Sequence, residues 1–290
     1  MRAVDVVFLG HFARDRLVFG ESAEAASGGG VYYGAVAVRR LGYAVAVITK
    51  LHPRDFPLLE DLRRAGITVH ASPGPETTGI ENVYLDQTMD RRICRPLGFA
   101  GAFSPEEVPV MPARVTIVTP LMAGEVSGDL LRLLAARGPI GTDVQGFARV
   151  REGNTLVTRD WPEKAADLAA VTYLKADDAE GETLTGFTDL RAAARALADF
   201  GPREVVLTHA RGVLVFAGGT SYEAPFTPRG VRGRTGRGDT CFATYVAARL
   251  DSPADAACRL AAAVTSLKME QPGPFHGTRA EAERLMDARS

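Results

Sequence analysis

The run Arg234-Thr235-Gly236-Arg237-Gly238-Asp239-Thr240-Cys241 stands directly ahead of a helix-forming stretch, 242–250, that holds no Gly or Pro. A glycine-rich turn opening a helix presents unpaired backbone N–H groups, and the helix dipole adds partial positive charge at the same end. That combination suits a phosphate, or the charge that builds on a phosphoryl group in transfer. Asp239 is the discordant residue, because a carboxylate beside a phosphate is repelled unless it has a task. The task that fits is to take a proton from an attacking hydroxyl. Gly236, Arg237, Gly238 and Asp239 are therefore the candidate catalytic residues, and the implied chemistry is phosphoryl transfer to an alcohol. A loop closed by an Asp N-cap uses the same residue types, so matching segments elsewhere in the chain must decide between the two.

The elements that position such a turn follow from the apolar pattern. Residues 4–9 read as a buried strand, and 10–15 as the turn leaving it. Gly28-Gly29-Gly30 opens a helix over 31–41 that stops at Gly42. A strand at 44–49, a helix at 55–65 and a strand at 68–71 come next. Further strand and helix segments lie at 115–118 with 128–136, 140–144, 170–174 with 178–185, and 190–200 with 205–208. Continuously apolar strands alternating with helices imply an α/β fold with a mainly parallel sheet covered on both faces. Two regions break the rhythm. Residues 16–27 and 78–96 carry strand-like segments with no helix after them, the second turning at Gln87-Thr88-Met89-Asp90. Strands from both can pair into a small lid over the sheet's carboxyl edge, where α/β ligand sites form. The chain is accordingly expected to be a single domain, 1–290, with lid strands inserted at about 16–27 and 78–96.

Composition narrows the function classes. The chain has 290 residues, 46% hydrophobic and 24% charged, with a formal net charge of -1. This is ordinary for a globular protein, and the charge argues against nucleic acid or a membrane surface as the main partner. No apolar run reaches the roughly 18 residues a membrane helix needs, and residues 1–5 enter strand-like sequence at once. No signal peptide is expected, and the protein is expected to be cytoplasmic. Cys94, Cys241 and Cys258 are odd in number and widely spaced, as reduced thiols would be.

With these segments placed, the sequence resembles the PfkB, or ribokinase-like, family of sugar and nucleoside kinases over almost its whole length. Thr235-Gly236-Arg237-Gly238-Asp239 fits the second half of the family signature D-T-x-G-A-G-D, with Gly233 in place of its first Asp and Arg237 in place of its Ala. Gly28-Gly29 and Arg40-Leu41-Gly42 match the N-terminal signature, and Tyr33 stands where many sugar kinases carry Asn. The stretches Gly124-Glu125-Val126, Asp143 to Arg149 and Leu174-Lys175-Ala176 look like those of plant-type myo-inositol kinases, as do residues 10–15 and 28–33. An ion pair between Asp143 and Arg149 is expected to be structural.

The resemblance implies a three-layer ribokinase-like sandwich with a small β lid, and an ATP-dependent kinase. The acceptor would be a polyol or sugar, with myo-inositol the first expectation. Asp15, Gly28, Gly29, Tyr33 and Glu125 would then bind the acceptor. Asp177-Asp178-Ala179-Glu180 resembles the family's N-x-x-E motif, so Asp177 and Glu180 would serve the nucleotide, and Glu180 would reach Mg²⁺ through water. Residues 205–212 resemble a nucleotide-binding turn, with Thr208, Arg211 and Gly212 as its contacts; a plain β-turn between two strands fits the same residues. Residues 261–268 with Pro272-Gly273 resemble the segment that walls the adenine, or are core packing. A monovalent cation is a further possible cofactor. The alternatives are a nucleoside acceptor, with Phe12, Tyr32 or Tyr33 stacking on the base, and a non-catalytic binding protein. The small lid offers little apolar area, so a monomer is expected, or a homodimer not built by swapping lid sheets.

Overall fold

Apolar residues at consecutive positions mark strands covered on both faces. In the computed structural model, which describes residues 4–85 and 92–287, strand β1 (Val4–Leu9) sends Val6 and Phe8 into one core cluster and Val7 and Leu9 into the other. The chain then leaves this layer as β2 (Ala13–Phe19) and β3 (Ser22–Gly28), returns through α1 (Gly30–Arg40), and adds β4 (Val45–Leu51). A 3-10 segment, Pro53–Leu59, leads to the short α2 (Glu60–Arg64) and β5 (Thr68–Pro73). Next come β6 (Gly79–Tyr84), β7 (Arg92–Gly98) and β8 (Ala113–Val118), then α3 (Gly128–Ala135), β9 (Ile140–Asp143) and α4 (Gln145–Ala148). The chain goes on through β10 (Arg149–Glu152), β11 (Thr155–Thr158), α5 (Lys164–Leu168), β12 (Tyr173–Asp177), α6 (Asp178–Thr185) and α7 (Leu190–Ala198). It closes with β13 (Glu204–His209), β14 (Gly212–Ala217), β15 (Thr220–Pro225), α8 (Arg237–Ala248), α9 (Ala254–Met269) and α10 (Arg279–Asp287).

Nine strands form the main sheet, in the order β15-β14-β13-β12-β9-β8-β1-β4-β5. It is parallel from β13 to β5, and β14 and β15 extend it antiparallel. Helices α1, α8 and α9 cover one face, while α3, α6 and α7 cover the other. Helices α1 and α8 pack closely because Gly34 has no side chain: a Cβ there would lie 2.9 Å from the Ala243 methyl and from the Phe8 ring. This contact sets the start of α8 against the ends of the central strands.

A second sheet of four strands, β3-β2-β6-β7, joins the two segments that lack helices. Its centre is a parallel pairing, Arg16 opposite Glu81 through Phe19 opposite Tyr84. The expected hairpin turn at Gln87-Thr88-Met89-Asp90 lies outside the described residues. Three local expectations are corrected. Asp15 belongs to β2 and not to the turn before it. Residues 55–65 are a 3-10 segment followed by a short helix, since Pro57 has no N–H to continue an α-helical ladder. The strand expected at 170–174 runs Tyr173–Asp177. A hairpin, β10–β11, was not foreseen, although its Gly153-Asn154 turn between short β-prone runs is a readable signal.

Candidate functional site

The carboxyl ends of β9, β12 and β13 face the start of α8 across a cavity of about 480 Å³. Asp143 and Asp177 close β9 and β12, Thr208 is the last residue but one of β13, and all three reach the cavity wall together with Gly236, Gly238 and Asp239. The glycine turn takes its shape from Gly236, whose φ is +78°, in the left-handed region. A Cβ at that position would also lie 2.2 Å from Cγ of Tyr33, so the turn sits directly on the Tyr33 ring. Asp239 is in the first turn of α8. Burial pushes its carboxyl above the usual range, and Lys175, Arg149, Lys268 and Arg92 pull it back. A carboxylate whose pKa is raised by burial is a stronger base than one in water.

Lys175, which enters the sequence reading only within the stretch Leu174-Lys175-Ala176 and with no role of its own, lines this site. It stands opposite Asp143 in the pairing of β12 with β9. Its ammonium lies 3.0 Å from Asp143 Oδ2 and 3.3 Å from Glu180 Oε2. Burial opposes its charge, but the neighbouring carboxylates more than offset this and raise its pKa. A Cβ on Gly238 would lie 3.3 Å from Lys175 Cε, so the glycine admits the lysine beneath the turn. Asp143 therefore pairs with Lys175 and not with Arg149, which donates to Gln145 Oε1 at 2.8 Å instead. Arg92, Arg234 and Arg237 add three more cations to the cavity wall. A lone lysine in the apolar run of β12 was the available sign, because lysine is rarely buried without a partner or a function.

On the acceptor side Asp15 is buried, and its Oδ1 accepts the Ile80 N–H at 2.8 Å. Gly28 makes room for it: a Cβ there would lie 2.3 Å from Asp15 Oδ2. Burial raises the Asp15 carboxyl to about 6, against the Ile80 hydrogen bond and the charges of Arg92 and Arg149. Gly29, with φ +88°, caps α1 where a side chain would meet the His11 carbonyl at 2.6 Å. Tyr33 is buried, and both Asp15 and Asp239 help to raise its pKa.

Glu125 is a correction. It is 0% exposed, and its oxygens accept the main-chain N–H groups of His11 at 2.6 Å and Leu121 at 2.7 Å. Burial lifts its pKa to about 8. Each oxygen thus holds a turn that follows β1 or β8, so Glu125 ties those turns together and, fully buried, does not line the cavity. The aromatic residues proposed to stack on a base are also engaged elsewhere. Phe12 is fully buried, and it packs edge-on to Tyr32 as Tyr32 does to Tyr33.

The expected donor-side residues divide. Asp177 and Thr208 line the cavity. Glu180 does not: it completes a capping box, accepting the Asp177 N–H at 2.7 Å, and pairs with Lys175. Residues 205–209 belong to β13, and 210–211 make the tight antiparallel turn into β14 at Gly212. Arg211 is exposed on that turn, and Gly212 is glycine because β15 crosses it, with the Ala224 carbonyl 2.6 Å from a Cβ there. Ala210 reaches the cavity instead. Among the described residues no cluster of three or more His, Cys, Asp or Glu can hold a metal ion alone. Asp177 and Asp178 on the wall fit a magnesium ion that arrives with a phosphate donor and keeps much of its water. Among the described residues, no helix is long and apolar enough to cross a membrane.

Comparison with known proteins follows the same lines. Residues 9–280 match the family model described as pfkB family carbohydrate kinase. The sulfate complex of a pyrophosphate-dependent kinase in the ribokinase family is 38% identical, covers 96% of this chain and 99% of its own, and superposes with a TM-score of 0.90. A pyrophosphate-dependent kinase of that family, complexed with a pyrophosphate analog and myo-inositol, is 37% identical over 96% and 99% of the two chains, with a TM-score of 0.88. The cytidine kinase of Thermococcus kodakarensis is 26% identical over 258 residues, 84% of this chain and 88% of that protein.

Proposed function

The chain belongs to the pfkB family of carbohydrate kinases and is a phosphotransferase acting on a sugar or polyol hydroxyl; on that premise we propose that it moves a phosphoryl group from pyrophosphate to myo-inositol. The observation that carries the donor is that Arg92, Lys175, Arg234 and Arg237 line one cavity with residues 236–239, beside Asp143, Asp177 and Asp178. Four cations suit a small, highly charged donor. A nucleotide base calls for apolar walls, and among the described residues Tyr84 is the one aromatic side chain on this cavity. The relative solved with a pyrophosphate analog and myo-inositol supports the same pair of substrates. A nucleoside acceptor is less well served, because Phe12 and Tyr33 are held in the core.

In this reading Asp239 accepts the proton of the acceptor hydroxyl as its oxygen attacks phosphorus. The N–H groups that open α8 receive the charge gathering on the phosphoryl oxygens. The four cations hold the donor and stabilise the phosphate that leaves. Asp15 accepts hydrogen bonds from other hydroxyls of the ring, which fixes the one presented to Asp239. The four-stranded sheet excludes water that would hydrolyse the donor. Magnesium, when bound, offsets donor charge beside Asp177 and Asp178.

The test crosses pyrophosphate, tripolyphosphate and ATP with myo-inositol, ribose, fructose and cytidine, and reads products by phosphorus NMR. Inositol monophosphate and orthophosphate from pyrophosphate are expected. Transfer from ATP with none from pyrophosphate would overturn the donor assignment, and phosphorylation of cytidine alone would overturn the acceptor.

A further inference from the structure

Lys268 is 1% exposed, in the last turn of α9, and the transfer chemistry above leaves it without a role. Its ammonium donates to the Gly233 carbonyl at 2.5 Å and to the Thr235 carbonyl, residues more than thirty positions away in sequence. It also sits 5.2 Å from the centre of the Tyr33 ring, the ring on which Gly236 rests. The same loop is docked on the end of α9 by Arg232 and Gly233, whose N–H groups both donate to the Met269 carbonyl. Gly233 has to be glycine for this, since a Cβ would lie 1.9 Å from the Gln271 carbonyl. On its other side the loop is tied to the four-stranded sheet, where Tyr84 Oη and Thr235 Oγ1 are 2.7 Å apart.

Carbonyl and amide of one trans peptide unit point in opposite directions. The Thr235 carbonyl and the Gly236 N–H share one such unit, and the Gly233 carbonyl and the Arg234 N–H share the unit two before it. Drawing both carbonyls toward a single cation therefore turns both amides away from it, on the side where Arg234 and Gly236 line the cavity. We propose that Lys268 is a positioning residue, a built-in cation that aims the main-chain amides of the glycine turn at the donor phosphate and makes an added monovalent cation unnecessary. Carbonyl oxygens turned toward one positive charge are also part of what a potassium ion would use within a larger oxygen shell, and the ammonium is similar in size. Burial draws the Lys268 pKa down to about 7, with Asp239 opposing and Arg237 assisting, while the two carbonyl oxygens favour the protonated form by accepting its hydrogen bonds.

The proposal rests on the phosphotransfer reading, so the experiment carries a readout that does not depend on turnover. Wild type, Lys268→Ala and Lys268→Met are assayed in N-methylglucamine buffer, with and without potassium or ammonium chloride, and inorganic pyrophosphate binding is followed by calorimetry. Wild type should be indifferent to potassium. Loss of aimed amides should lower kcat about 10²–10³-fold in both variants, more than it raises acceptor KM. Ammonium or potassium should restore part of the activity and of the pyrophosphate affinity in the Ala variant, whose shortened side chain leaves room. The Met variant, which fills the space without charge, should not respond. A merely structural lysine would leave Met close to wild type in kcat, and that result overturns the proposal. A wild type that loses tenfold or more of its rate without potassium overturns it too, even if neither variant folds. Should wild type transfer no phosphate to any polyol, the functional reading fails, and pyrophosphate affinity unchanged between wild type and the Ala variant would then overturn the Lys268 assignment separately.

Discussion

Replacing Asp239 with Asn changes the charge of the proposed base and almost nothing else. The side chain is isosteric, so no cavity opens, and its position in the first turn of α8 is retained. What is lost is the proton acceptor. Removing a general base typically costs about 10²–10⁴-fold in rate, which at 1.36 kcal/mol per decade is about 2.7–5.4 kcal/mol of barrier. Donor binding should move the other way. Lys175, Arg149, Lys268 and Arg92 all act on this carboxylate, and without it their charge is free to attract the donor. Asp239→Asn should therefore bind pyrophosphate at least as tightly as wild type by calorimetry while turning over far more slowly. The pH profile adds an independent reading. Burial raises the Asp239 pKa, so the acid limb of kcat should lie above the ordinary carboxylate range and should vanish in the Asn variant. A variant that keeps half of the wild-type kcat with the limb unchanged refutes the assignment of Asp239 as base.

Two further substitutions separate acceptor binding from scaffold. Asp15→Asn should weaken the acceptor about 10- to 150-fold and leave pyrophosphate affinity alone, since a charged hydrogen bond contributes roughly 1.5–3 kcal/mol; equal losses for both ligands would make Asp15 a fold residue. Because the folded Asp15 pKa is raised from 3.8 to about 6, the folded state holds this proton more tightly. The associated stability is present below about pH 4 and is lost as pH rises through 6, by up to about 3 kcal/mol. Denaturation of wild type against Asp15→Asn at pH 4 and pH 7 reads that difference, and acceptor affinity should rise over the same window. Glu125→Gln keeps one acceptor for two buried N–H groups, so it should cost about 1–3 kcal/mol, a few degrees or more in melting temperature, with acceptor KM nearly unchanged. A tenfold rise in KM without a change in melting temperature would return Glu125 to the acceptor site.

The parts of this protein legible in its sequence are those with local causes. Glycine at 236 and 238 followed by Asp239, the alternation of apolar strands with helices, and two strand segments lacking helices all depend on turn chemistry and apolar spacing within about a dozen residues. They are sufficient for the α/β class, for the family, and for the placing of Asp239. The companions of Asp239 are another matter. Lys175 meets Asp143 because β12 lies beside β9 in register, and nothing near either residue announces which strands are neighbours; the local candidate for Asp143 was Arg149, and it was the wrong one. Glu125 looks like any acidic residue after a glycine, until the turns following β1 and β8 close over it and take both its oxygens. Lys268 lies in a helix that reads either as a wall for adenine or as packing, and its charge acquires meaning only where the chain from Gly233 to Thr235 folds back onto it. Local sequence determines which backbone forms where, since dihedral preference and burial act over short spans. Which charges meet is decided by strand order and helix docking, because a buried ion finds its partner across space and the chain between them carries no record of the encounter.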